Sequence, residues 1–227
     1  MRAFSLVMTV ENGEFYGHLA RRILFVAAAT GVYGAVLAVW RSPLMAAYVA
    51  AKLPVVFVGA TLIVSLFCWM AALATGAGLR YREVLEAVFF AMSVAGAILL
   101  AAAPVVLFFV FSAAPDSGTR ETMRLAHAVM LLAHIVVMGS AGTVGVALLY
   151  RSLKRRVPAN CQLVLMMVLW LAAFAVVGCQ LGWIMRPLVG SPDISVEFLR
   201  ADALESNFLE SLFTQIIPHL INGGVVK

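Results

Sequence analysis

The stretch VLEAVFFAMSVAGAILLAAAPVVLFFVFS, residues 84–112, runs for 29 residues with one charged side chain, Glu86, near its start. A helix needs about 20 apolar residues to cross a hydrocarbon core of roughly 30 Å. Only a helix satisfies its own backbone groups inside lipid over a run of this kind. The stretch therefore predicts a transmembrane helix, with tilt or a break at Pro104 absorbing the extra length.

The rest of the chain has the same character. Of its 227 residues 63% are hydrophobic and 12% are charged, with a mean hydropathy of +1.01, whereas soluble domains average roughly 45–50% and about 25%. Too few polar residues remain to cover a soluble core, so we expect the lipid bilayer to be the main partner of the surface. The predicted fold class is an all-α integral membrane protein.

Five apolar runs predict a bundle of about five transmembrane helices. The predicted spans are 23–40, 53–76, 84–112, 125–150 and 161–185. They make up a helical bundle over 23–186, preceded by an interfacial segment at 1–22 and followed by a loop with an amphipathic helix at 187–227. Near their middles these spans hold no Asp, Glu, Lys or Arg, which argues against an ion-coupled transporter with a charged site at the midplane.

The basic residues lie between the apolar runs, where they indicate topology and no nucleic-acid partner. With a cytoplasmic N-terminus, nine Lys and Arg fall inside and seven outside. The densest cluster, RSLKRR at residues 151–156, lies in a short loop of the inside set, where the positive-inside rule has most force. We therefore predict an N-terminus in the cytoplasm.

The last span ends in GWIMRP, residues 182–187, which predicts a helix-end anchor. Trp183 suits headgroup depth, Arg186 can extend its charge to water, and Pro187 does not continue the helix. The alternative is that Arg186 faces inward and binds a lipid phosphate, a partner carboxylate or a permeating anion.

Inside the same span, Gly178 and Gly182 form a GxxxG pair that lets two helix backbones approach closely, and Gln180 can hydrogen-bond across the contact. The contact is either between copies of the chain or between helices of one chain.

His127 and His134 lie seven residues apart, on one face of the fourth span and about 10.5 Å apart along its axis. One haem could not use both, so we predict no metal or cofactor. The two rings are instead expected inside the bundle or, together with Ser65 and Ser93, along a polar cavity. We find no catalytic motif or carboxylate pair and expect no enzymatic activity.

The tail after Asp202 predicts an amphipathic helix that Pro218 ends. Its apolar stripe comprises Leu204, Phe208, Leu212, Phe213 and Ile216. Because its polar face is acidic, we expect it to pack on the bundle or on a partner protein, not on anionic lipid.

The helix layout of residues 50–200 and the motif GCQLGWIMRPLVGSP resemble a group of poorly characterised bacterial polytopic proteins with a Yip1-like five-helix layout. The resemblance implies a bacterial inner-membrane protein that organises other proteins and catalyses nothing. The expected function is a scaffold or subunit of a membrane complex; the alternative is a homo-oligomeric ion or small-solute channel.

Overall fold

The computed structural model describes residues 2–113, 120–157, 160–189, 196–200, 203 and 207–211. Within them the helices are α1 (Arg2–Ala38), α2 (Pro43–Ala74), α3 (Tyr81–Ala113), α4 (Arg120–Lys154), α5 (Asn160–Ile184) and the short α6 (Phe208–Ser211). The first five are each long and apolar enough to cross a membrane, over Glu14–Ala38, Pro43–Ala74, Tyr81–Ser112, Glu121–Lys154 and Cys161–Ile184. The predicted all-α, five-helix fold is confirmed.

The second helix begins at Pro43, ten residues before the predicted start of the span. The Ser42 hydroxyl accepts a hydrogen bond from the N–H of Met45 at 3.0 Å, and Pro43 occupies the first turn, where its missing donor is not needed. Pro54, the second residue of the predicted span 53–76, lies inside α2. The first helix likewise begins earlier, at Arg2, and continues without interruption into its span.

The helices pack around α1. It lies against both α2 and α3, while α4 packs on α3 and α5 packs on α2; α4 and α5 barely touch each other. Two groups of buried side chains fill the bundle. One surrounds Tyr33, Leu37, Met45 and Leu99, and the other surrounds Trp170, whose indole N–H donates to the carbonyl of Cys68 at 2.8 Å.

The contact between α1 and α2 brings backbone against backbone at two glycines. A Cβ on Gly31 would lie 3.1 Å from the carbonyl oxygen of Ala50, and one on Gly34 would lie 2.8 Å from that of Val49. Ala50 is the residue whose carbonyl Pro54 leaves without its helical donor, so the kink-prone turn of α2 faces Gly31. No side chain fits at Gly34 unless the helices move apart.

We predict that Gly34→Ala destabilises the protein by about 1–3 kcal/mol, the usual range for overpacking. Alanine favours a helix over glycine by about 1 kcal/mol, so a substitution without a clash should be neutral or stabilising. Gly17→Ala, on the same helix with nothing within 4 Å of the added Cβ, is the matched control. Thermal unfolding in detergent should separate the two variants; equal melting temperatures would show that the α1–α2 contact is looser than described.

Candidate functional site

A buried lysine lies nine residues into α2, about 13.5 Å along the helix axis from Pro43. Lys52 is 0% exposed. Its ammonium donates to the carbonyl oxygens of Pro187 at 3.3 Å and Glu197 at 3.4 Å, and lies 5.3 Å from the ring centre of Phe198. A charge inside a membrane helix is costly without such partners. These contacts therefore tie α2 to the chain that follows α5.

The segment after α5, here meaning residues 187–189 and 196–198, makes further contacts with the same end of the bundle. The indole N–H of Trp40 donates to the carbonyl of Val189 at 2.9 Å, and Val189 is buried in the core. The rings of Tyr48 and Phe198 meet edge to face, 5.5 Å apart. Two backbone carbonyls thus bind the ammonium of Lys52, and the site is a clasp that holds the segment after α5 against α2.

The sequence places Lys52 in the loop before the predicted second span, 53–76, so this site was not predicted. In the structure Lys52 lies inside α2, nine residues after its start, whereas the expected absence of charge concerned the middles of the spans. The signal that could have found it is Ser42-Pro43, a cap residue followed by a first-turn proline, which moves the helix start and places Lys52 inside.

The fifth helix, α5, ends at Ile184, three residues before Pro187. The Arg186–Pro187 peptide bond is cis. The guanidinium of Arg186 stacks 3.0 Å from the ring centre of Trp183, and its Nε donates to the Trp183 carbonyl at 3.3 Å. Trp183 in turn contacts the ring of Phe208 at 6.0 Å. Within the described residues this anchor faces the chain's own tail, and its predicted lipid or partner contact stays a prediction.

The GxxxG pair of α5 does not meet another helix of the described chain. A Cβ at Gly178 or Gly182 would have nothing within 4 Å. Gln180 accepts a hydrogen bond from the N–H of Phe208 at 3.0 Å, so it caps the start of α6. The predicted contact within one chain is therefore not made by the described residues, whereas a contact between copies stays a prediction.

The two histidines face α1, as their spacing on one face of α4 predicted. His134 Nδ1 lies 3.1 Å from the hydroxyl of the fully buried Tyr33, and the two rings stack 5.8 Å apart. His127 lies 5.8 Å from Trp40. Its Nδ1 is buried without a hydrogen-bond partner in the described chain. His134 thus meets the ring of Tyr33 on α1, and His127 meets the ring of Trp40 in the turn after α1. Tyr33 and Trp40 are seven residues apart, as are the two histidines.

The two serines predicted to line a cavity do not join the histidines. The Ser65 hydroxyl donates to the Leu62 carbonyl at 2.7 Å and lies 3.2 Å from the hydroxyl of Tyr81. Ser93 donates to the Phe89 carbonyl of its own helix at 2.7 Å. The two serines and the two histidines therefore do not line one shared cavity, because each serine hydroxyl is hydrogen-bonded at its own place in the bundle.

Of the predicted tail stripe, Phe208 is described, and Leu204, Leu212, Phe213 and Ile216 lie outside the described residues. Among the residues that the structure describes, no group of three or more His, Cys, Asp or Glu could hold a metal ion.

A cavity of about 240 Å³ opens where α4 and α5 separate, against α3. Its walls are apolar throughout, and they consist of Val88, Ala91, Met92, Ala95, Gly142, Gly145, Val146, Leu149, Met167, Trp170, Leu171 and Phe174. We call this the α4–α5 groove.

The fold defines a polytopic α-helical membrane protein. No protein-family model matches the sequence, and comparison with curated proteins and with solved structures gives no match either.

We predict that Lys52→Met loosens the segment after α5, because it removes the ammonium that joins the Pro187 and Glu197 carbonyls to α2. A cysteine at Val189, in a background with Cys161 and Cys179 replaced by serine, should react with a maleimide several times faster in the Lys52→Met variant. Lys154→Met removes an exposed lysine and is the matched control. Unchanged labelling in both would mean that the contacts of Trp40 and Tyr48 and the packing of Val189 hold the segment without Lys52.

Proposed function

We propose that this protein is a non-enzymatic scaffold or subunit of a membrane complex that binds a transmembrane helix of a partner protein in the α4–α5 groove. The observation that carries the proposal is the wholly apolar lining of the groove. It opens between two helices that hardly contact each other. An apolar partner helix can pack against this lining, whereas the lining offers no polar groups along which water or a solute could pass.

The polar groups of the bundle support the same function. Ser65, Ser93 and Gln180 are each bonded to a backbone group, and His134 is bonded to Tyr33. Solute passage needs a continuous line of polar groups that are free to exchange with the solute. In the described chain these groups are instead used to fix its own helices.

The small residues of α4 suit the approach of a further helix. Within lipid, helices associate through close packing, and small residues allow their backbones to meet. A Cβ on Gly142 would meet nothing within 4 Å, so the space beside it is open. Gly145 already lies against the carbonyl of Ala91 on α3. Gly142 is thus the position at which a partner helix would come nearest.

A second candidate is a homo-oligomeric ion or small-solute channel. The observation that favours it is the open GxxxG face of α5, because Gly178 and Gly182 are available to a second copy. In that case the pore would form between copies and not inside one bundle.

The proposed setting is a bacterial inner membrane with the N-terminus in the cytoplasm. The basic cluster at residues 151–156 supports this orientation.

We predict that Gly142→Leu releases the partner, because its side chain fills the groove, while Gly139→Leu leaves the complex intact. Both glycines are exposed on α4 with nothing within 4 Å of an added Cβ, and Gly139 does not line the groove. Native mass spectrometry of gently extracted protein should show a defined complex with another protein in the wild type and the Gly139 variant. Equal retention by both variants would contradict the groove as the contact.

The same spectra distinguish the second candidate. The channel would replace the scaffold as the proposed function on two results. The spectra would show a pure homo-oligomer that the double variant Gly178→Leu, Gly182→Leu no longer forms, and the protein would conduct ions in liposomes.

A further inference from the structure

We propose that a cavity between α3 and α4, where three arginines stand above an apolar wall, binds the phosphate headgroup of an anionic phospholipid. The cavity has a volume of about 490 Å³ and is lined by Phe90, Leu148, Arg151, Ser152, Arg155 and Arg156. We call it the arginine cavity. It is separate from the α4–α5 groove and does not depend on the scaffold function.

The charge of the arginine cavity is positive and only partly neutralised. Arg156 forms an ion pair with Glu83 at 3.1 Å. Arg151 and Arg155 form no ion pair within the part of the chain that the structure describes, and no acidic side chain is among the described lining residues. A guanidinium group is planar and can donate two parallel hydrogen bonds to two oxygens of one phosphate group. Two free guanidinium groups therefore remain for an anion.

The acidic residues described near the arginine cavity, Glu83 and Glu86, lie on one side of it. A neighbouring cavity of about 240 Å³ shares Phe90, Ser152 and Arg156 and adds Glu83 and Glu86. Arg22 lies at that side, where it donates to the Glu86 carbonyl at 2.8 Å and stacks 5.5 Å from the Phe90 ring centre. These carboxylates repel an anion from the second cavity and confine it to the side of Arg151 and Arg155.

The hydroxyl of Ser152 adds a hydrogen-bond donor to the lining of the arginine cavity. The side chains of Ser93, Ser140 and Thr143 donate to carbonyls of their own helices. The Ser152 hydroxyl, in contrast, makes no hydrogen bond with any described residue, although Ser152 also lies within a long helix. Its hydroxyl can donate to a phosphate oxygen.

The apolar wall favours a lipid over a soluble phosphate. Leu148 lies one turn below Ser152 on α4, and the exposed Val144 lies one turn further along the same face. Phe90 of α3 forms the facing wall. An anchored phosphate would place its acyl chains along this stripe, which leads into the membrane-spanning part of α4. Basic pockets between membrane helices bind lipid headgroups in this way.

The test is native mass spectrometry of the purified chain titrated with phosphatidylglycerol or with phosphatidylcholine. The wild type should retain one phosphatidylglycerol at concentrations where phosphatidylcholine is lost, and added salt should weaken the retention. Equal retention of the two lipids would overturn the proposal. Displacement of phosphatidylglycerol by inorganic phosphate at the same concentration would also overturn it, since the ligand would then be a soluble anion.

We predict that Arg151→Gln with Arg155→Gln weakens phosphatidylglycerol binding about thirtyfold, since each basic residue near an anionic headgroup contributes a factor of about five. Arg80→Gln with Lys154→Gln is the matched control. It also removes two exposed positive charges but none from the cavity lining. Equal weakening in both pairs would show general charge attraction and no cavity. Ser152→Phe, which fills the cavity and keeps every charge, should also abolish binding; full binding by this variant would contradict the site.

Discussion

The contact of α1 with α2 at Gly31 and Gly34 is the constraint on which the rest of the bundle depends. Lipid is as apolar as the helices, so association between them relies on close packing. Here the carbonyls of Val49 and Ala50 reach positions that any side chain would occupy. The opposite side of α1 is close as well, because a Cβ on Gly96 of α3 would lie 3.4 Å from Ala29. Small residues on both sides make α1 the centre, and α4 and α5 are attached mainly through α3 and α2 respectively.

The second constraint is the charge of Lys52, which determines where the chain goes after α5. An ammonium buried in a membrane helix needs oxygen partners. Its two oxygen partners are backbone carbonyls outside the helices, those of Pro187 and Glu197. Pro187 lies after the end of α5, in non-helical backbone, and its carbonyl is one of the two partners of the Lys52 ammonium. α5 is thus joined to α2 twice, by side-chain packing and by this clasp.

The sequence predicted the five helices and the shared face of His127 and His134, because length, hydropathy and a spacing of seven residues are properties of a single helix. It did not predict which faces pack. Helices that are apolar all round carry no stripe that separates a core side from a lipid side, and this holds for α2 and α5. The GxxxG pair of α5 therefore could not be assigned to an internal or an external contact. Lys52 was missed for a different reason: the sequence pattern does not show that backbone carbonyls more than 130 residues further along the chain are the partners of this charge.

The α4–α5 groove and the arginine cavity lie on the same helix, which is the least buried of the five spans. Gly142 and Arg151 are nine residues apart, about half a turn from alignment at 100° per residue, so they face opposite sides of α4. Because α4 packs mainly on α3, it leaves both of these sides uncovered. A partner helix at Gly142 and a headgroup at Arg151 would therefore not compete for space. Both sites depend on how α4 is placed on α3. The Arg156–Glu83 ion pair helps to fix this placement at the end of α4 where the arginines lie.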